Sequence, residues 1–397
     1  MPATRRRLLA SAAAAAPALA GCAAVNRSAV GDALREPPER RVAPDWRPGP
    51  ETWASDAYGP ANTGHNPHAS PPRREPTVDW RRGLSGPPNS LLVAEGRVYC
   101  ATADRLVALD AATGVVRWAR AVEASSVLTY VDGRLYATNT DEEVAALAPD
   151  GTERWRTAVD AESLKSLHER SGYVFLGTFS GHRVLHADTG TVVRSPDAEW
   201  EFLAAAGGRV YVTRGAPSGT PVTYAADGRR LAERWRVETD CGVGRPVVDG
   251  ERVYYDVDPE FTLDCDGRHR LWAHGAGGER LWTAQFAGEV RSPAAGDDRL
   301  FVPTASADGD GGSVVCLGPD GERRWTHGTA GGVGPPAVAG GTVYAAPRDD
   351  DRAPLVAVDA ATGDRLWRRP VTGDVRIAAA GERLYVGDET GVVALRA

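Results

Sequence analysis

Self-similarity is the feature that most limits what this chain can become. From residue 76 onward, a turn glycine or acid leads into an aliphatic and then an aromatic residue, eight times over. The copies are Gly96-Arg97-Val98-Tyr99, Gly133-Arg134-Leu135-Tyr136, Gly172-Tyr173-Val174-Phe175, Gly208-Arg209-Val210-Tyr211, Gly250-Glu251-Arg252-Val253-Tyr254, Asp298-Arg299-Leu300-Phe301, Gly341-Thr342-Val343-Tyr344 and Gly381-Glu382-Arg383-Leu384-Tyr385. Successive aromatics stand 37, 39, 36, 43, 47, 43 and 41 residues apart. A tight turn feeding a β-branched and aromatic run reads as a hairpin, and a period near 40 reads as stacked supersecondary units.

Between these copies lies a second signal: a short apolar strand, a Thr-Gly or Asp-Gly turn, and a strand ending in tryptophan. Trp118, Trp155, Trp235, Trp282, Trp325 and Trp367 hold that place, and Arg194 substitutes in the third copy. Four short strands per repeat predict an all-β, eight-bladed propeller of four-stranded blades. The last copy stops after Val392-Val393-Ala394-Leu395 and lacks its Trp strand, while an orphan Trp strand, Thr77-Val78-Asp79-Trp80-Arg81, sits at the other end. Pairing the two closes the ring and removes two exposed edges.

These residues resemble a known family. Ala108 to Trp118 and Ala357 to Trp367 both fit Ala-x-Asp-x-x-Thr-Gly-x-x-x-Trp, the tryptophan-docking repeat of quinoprotein (PQQ-type) propellers, and Ala146 to Trp155 matches one residue short. The resemblance covers 76–397 and implies the fold with Trp80, Trp118, Trp155, Trp235, Trp282, Trp325 and Trp367 as docking residues. It is similar both to PQQ-dependent dehydrogenases and to non-catalytic BamB-like assembly lipoproteins, and fold alone does not separate them. The dehydrogenases add insertions that build a cofactor chamber, an adjacent Cys-Cys disulfide, a Glu/Asn calcium site and an Asp base. Here no two cysteines adjoin, and about 40 residues per blade leave little for a chamber. The expectation is therefore a binding and assembly scaffold without catalytic residues or cofactor. The alternatives are a PQQ-dependent dehydrogenase, with calcium, or a small-ligand or polysaccharide sensor using the central channel.

The N-terminus reads as an address. Arg5, Arg6 and Arg7 before Leu8-Leu9, an alanine-rich stretch and Leu19-Ala20-Gly21-Cys22 resemble a twin-arginine lipoprotein signal over 1–21, with Cys22 lipidated. Residues 22–75, with nine prolines, read as a tether, although Trp53 to Pro67 carries aromatics that a free linker does not need. The expected location is the outer face of the cytoplasmic membrane, with an unnamed protein partner, a membrane contact through the lipid, and a monomeric state. A net charge of −7, with one lysine (Lys165) among 46 basic residues, argues against nucleic acid. The lysine-poor, acid-rich composition suits a GC-rich, haloarchaeal source.

Other chemistry has little support. The eight histidines form no His-Glu-x-x-His, although His182 and His186 would share one face of a strand. Gly275-Ala276-Gly277-Gly278 reads as a hairpin, and no Gly-x-Ser-x-Gly elbow occurs. Cys100 and Cys316 lie inside strand patterns as small hydrophobes, Cys241 and Cys265 bracket one blade's first strands, and their pairing is open. Loops between second and third strands gather acids on one face: Asp104, Asp141, Glu142, Glu143, Asp256, Asp258, Glu260, Asp308, Asp310, Asp349, Asp350, Asp351, Asp388 and Glu389. That field favours a basic partner or cations, with Asp308 and Asp310 as the candidate metal ligands.

Overall fold

The computed structural model describes residues 39–40, 42–43, 46–121, 127–160, 164–178, 183–194, 202–213, 222–227, 233–239, 241–258, 268–306, 311–348 and 353–397. Among them the strands form eight sheets. Sheet 1 runs Ser90–Ala94, Arg97–Ala101, Arg105–Asp110 and Val116–Ala121, each strand antiparallel to the next. The same order repeats over 128–158, 164–194, 202–238, 242–285, 289–329 and 337–369. First strands of successive sheets lie side by side around a common axis, so the ring is a β-propeller. In sheets 5 and 6 the first strand is split around Pro246 and Pro293, since proline has no N–H to give a ladder.

Sheet 8 closes the ring. Its three inner strands come from the C-terminus, Arg376–Ala380, Arg383–Asp388 and Gly391–Arg396, and its outermost is Thr77–Arg82. The two chain ends pair antiparallel from Thr77 against Arg396 to Arg82 against Val392, with a bulge between Val78 and Trp80. Asp79 fastens the seam, 2.8 Å from Arg383 Nε and 3.4 Å from Arg396 Nε. Inner strands such as Arg97–Ala101 are buried along nearly their whole length, because each sheet is covered on both faces by its neighbours. Outer strands such as Val116–Ala121 alternate exposed and half-buried positions.

Tryptophan ties each sheet to the next. Trp118 Nε1 donates to Pro149 O at 2.9 Å, Trp155 to Ala187 O at 2.7 Å, Trp235 to Ala276 O at 2.9 Å, Trp282 to Pro319 O at 3.0 Å and Trp325 to Ala360 O at 3.2 Å. Trp80, on the N-terminal strand of sheet 8, bonds Ala111 O of sheet 1 at 3.0 Å. The indole rings lie flat on the turn glycines: a Cβ on Gly114 would stand 2.5 Å from the Trp80 ring, and φ of +67° already requires glycine there. Sheet 8 has no third-to-fourth-strand turn of its own to receive Trp367. The entering chain supplies the missing acceptor, Pro72 O, which takes Trp367 Nε1 at 3.0 Å and the Tyr344 hydroxyl at 3.1 Å. The side chain of Arg194, in the tryptophan place of sheet 3, lies outside the described residues.

Residues 46–75, read from the sequence as the end of a tether, instead belong to the domain. They form a belt inside the channel. The first strand of every sheet has a free edge facing the axis, and the belt's backbone meets those edges in ring order. Gly381 N donates to Pro50 O, Trp53 exchanges bonds with Val93, Tyr130 N donates to Ala54 O, and Ala205 N to Pro60 O. Val248 N then donates to Ala61 O, Ala295 N to Thr63 O and Val338 N to Gly64 O, before Ser70 N returns to Gly381 O. One circuit thus contacts sheets 8, 1, 2, 4, 5, 6, 7 and 8 again. Two asparagine amides reinforce it: Asn62 Nδ2 donates to Leu203 O and Pro246 O, and Asn66 Nδ2 to Ala379 O at 3.0 Å. Sheet 3 is reached from upstream, where Arg40 Nε lies 2.8 Å from the buried Glu169 carboxylate, which also accepts the Tyr136 hydroxyl at 2.6 Å. Docking of the Trp53-to-Pro67 stretch is the reason for its aromatics, since Trp53 is 1% exposed and packs on Tyr58 at 5.4 Å.

The belt should therefore carry stability. Trp53→Ala is expected to lower the unfolding free energy by about 3 kcal/mol or more, the cost of emptying a large core site, read from urea titrations. A chain begun at residue 76 should melt well below one begun at residue 39. Equal melting temperatures would mean that the belt is ornamental.

Candidate functional site

The belt sits near the ends of the inner strands and leaves the other end of the channel open. The resulting funnel encloses about 530 Å³. Trp53 and Asp56 of the belt lie at its floor, and the starts of the inner strands of sheets 1, 5, 6, 7 and 8 wall it among the described residues. Arg245 and Arg291 lie in the break of the split first strand in sheets 5 and 6, Arg376 starts the first strand of sheet 8, and Arg348 comes from the second strand side of sheet 7. Against these four cations stand Asp56, Asp256, Glu289 and Asp374.

Most of these charges are engaged. Arg291 Nε lies 3.0 Å from Glu289, and Arg376 Nη2 lies 3.0 Å from Asp374 while its Nε donates to Asn89 O at 2.9 Å. Ser90 Oγ donates to Asp56 at 2.6 Å, and Ser292 Oγ to Asp256 at 3.4 Å. The lining is thus balanced in charge and knitted to itself, a chemistry suited to binding a polar group.

A calcium-bound quinone, implied by the resemblance to dehydrogenases, asks for several oxygen ligands converging on one point. Among the described residues no three His, Cys, Asp or Glu side chains are grouped to hold a metal ion. Glu289 and Asp374 already face arginines. Cys100 and Cys316 are buried free thiols inside sheets, with burial raising both pKa values, that of Cys316 to about 11. Cys241 is disulfide-bonded, its partner outside the described residues. The described residues therefore do not fit the quinone centre.

The acidic face is less concerted than its sequence suggests. Asp104 accepts from Ser85, Thr102 and Arg105, and these bonds hold its carboxyl far below the usual range. Glu143 bonds Asn139 and Arg156, and Asp388 caps Thr390. Much of the acid count is turn and strand-end chemistry; only Asp256 of the group reaches the funnel wall among the described residues. Asp308 and Asp310, with Glu260 and Asp349 to Asp351, lie outside the described residues, as do Arg5, Arg6, Arg7, Cys22, Cys265 and His182. His186 is buried with its ring edge-on to Tyr173. The funnel arginines were missed because arginine is everywhere in this chain. The usable signal was their recurrence beside the inner strands, as in Gly244-Arg245, Val290-Arg291 and Val375-Arg376.

Eight sheets around an axis, docked by tryptophan on Thr-Gly and Asp-Gly turns, define a PQQ-like β-propeller. The profile of the family described as outer membrane protein assembly factor BamB matches residues 41–194 and 267–397, more than two thirds of the chain. The chain belongs to this family. No curated protein matches. Among solved structures, BamB from Moraxella catarrhalis is 16% identical with a TM-score of 0.62, over 81% of this chain and 99% of that one. A europium-containing methanol dehydrogenase is 12% identical with a TM-score of 0.60, over 87% and 90%. The quinohemoprotein alcohol dehydrogenase from Comamonas testosteroni is 13% identical with a TM-score of 0.64, over 87% and 80%. At such identities the likeness speaks for the fold alone.

Two buried histidines make the ring acid-sensitive. His168, on the first strand of sheet 3, bonds Leu203 O at 2.9 Å, and burial, with Arg245, pulls its pKa from 6.5 to about 4. His274 has neither ring nitrogen hydrogen-bonded among the described residues; burial, with Arg280, lowers its pKa likewise to about 4. Between about pH 6.5 and 4 the unfolded chain binds protons that the folded chain refuses, so stability falls as pH falls through that window. For His168 the shift is worth roughly 3 kcal/mol. Melting temperatures should drop across the window, and His274→Leu should flatten the slope. An unchanged slope in that variant would contradict the assignment.

Proposed function

We propose that this chain is a non-catalytic binding scaffold of the cell envelope, exported and held by a lipid on Cys22, with protein partners gathered on the propeller. The observation that carries the reading is the funnel. The chain's own belt lies at its floor, and its carboxylates face guanidiniums and hydroxyls. Such a lining recognises polar surface more readily than it assembles a redox centre. Membership in a family described as an assembly factor supports the same class of role, and the family's description supports an envelope location. The dehydrogenases among the similar structures share architecture at 12–13% identity, which is too distant to transfer chemistry. A ring closed by its own chain ends, with its inner edges met by the belt, can act as a monomer.

Two measurements test it. Titration of the purified protein with PQQ, with and without calcium, should show no saturable absorbance change and no dye reduction with alcohols or aldoses. Stoichiometric binding with turnover would overturn the scaffold reading. In cells, Cys22→Ala should move the protein from the membrane fraction to the soluble exported fraction. Retention of the variant on the membrane would refute the lipid anchor.

A further inference from the structure

The repeat supplies its own control for reading charge. In four sheets the residue after the docking tryptophan is an arginine: Arg156, Arg236, Arg368 and Arg81. In sheets 2 and 4 that arginine is neutralised by the acid two residues before the tryptophan. Arg156 lies 2.9 Å from Glu153 and 2.9 Å from Glu143, and Arg236 lies 2.6 Å from Glu233. A bulge beside the tryptophan brings each pair onto one side. Sheets 7 and 8 have the bulge without the acid, since Arg365 and Val78 stand at that position.

Arg368 and Arg81 both line one groove of about 480 Å³ at the seam between sheets 7 and 8. Arg369 joins them there, and among the described residues none of the three makes an ion pair or side-chain hydrogen bond. The groove's acids are Glu75 and Asp388, whose Oδ1 accepts from the Thr390 amide at 2.8 Å and hydroxyl at 2.6 Å, so three guanidiniums stand against two carboxylates. The exposed Pro370 also lines the groove, above the buried Val371, Val386 and Val393 of the core. The chain as a whole carries −7, so a groove with more guanidiniums than carboxylates runs against the general trend.

We infer that this seam groove docks an acidic segment of a partner polypeptide, its carboxylates on Arg81, Arg368 and Arg369 and its aliphatic residues beside Pro370. A segment alternating acid and aliphatic residues can face all three guanidiniums with several carboxylates and lay an aliphatic residue against Pro370. The inference deepens the scaffold reading by naming a partner surface, and it can fail separately. Dye reduction with PQQ would retire the scaffold reading while leaving the groove to its own measurement.

The experiment uses the full chain and a fluorescein-labelled octapeptide of alternating glutamate and valine, followed by anisotropy. Saturable binding that weakens with added salt is expected. Arg81→Ala with Arg368→Ala should weaken it about tenfold or more, Arg81→Lys with Arg368→Lys should lose less, and Arg156→Ala with Arg236→Ala should stay within about twofold. The inference is overturned by no saturable binding, by equal loss in the paired-arginine variant, or by equal affinity for the glutamine-for-glutamate peptide. Association with phosphatidylglycerol vesicles in place of the peptide would overturn it as well.

Discussion

The interaction on which the structure depends is an indole lying on a left-handed glycine turn, with its N–H donating to a carbonyl of the next sheet. Each such contact covers the rim of one sheet and fixes its angle to the following one, so the ring is a chain of dependent joints. Trp80 on Gly114 is the joint between the last sheet and the first. The same carbonyls take a tyrosine hydroxyl from the inner layer, as Ala111 O does from Tyr385 at 3.1 Å, which links rim to core in one acceptor. Pro72 shows how strict the requirement is. Where sheet 8 has no turn to offer, a distant stretch of chain provides the carbonyl.

The repeat made the propeller legible, because its turn glycines, aromatics and tryptophans answer to backbone and packing demands that recur in every sheet. The orphan strand around Trp80 disclosed the closure for the same reason. The belt was much less visible. Its partners are backbone edges, which accept any extended chain and leave no side-chain signature. Only Trp53, Tyr58, Asn62 and Asn66 hinted at burial in a proline-rich stretch. The acid count misled in the opposite direction. Asp104, Glu143 and Asp388 looked like a shared field, and the structure spends each on its own loop.

The same contrast separates the two recesses of the molecule. In the funnel, arginine and carboxylate arrive together from neighbouring positions, so the wall is balanced whatever the chain's net charge. At the seam, Arg81 and Arg368 follow their tryptophans with no acid two residues before, leaving charge that the fold itself does not use. Repetition thus does more than build the ring. It places one position of the sheet side by side in several copies, so that Arg156 and Arg236 with a carboxylate partner can be compared with Arg81 and Arg368 without one.

The belt also has a mechanical meaning. Upstream of Trp46 the chain is gripped at Arg40 between sheets 2 and 3, and downstream it is bonded to the inner edges of seven sheets before it becomes the outer strand of sheet 8. A pull on the N-terminal arm therefore does not peel one edge strand. It loads many short backbone bonds in shear around the axis, and the hub takes up the tension before the rim is disturbed.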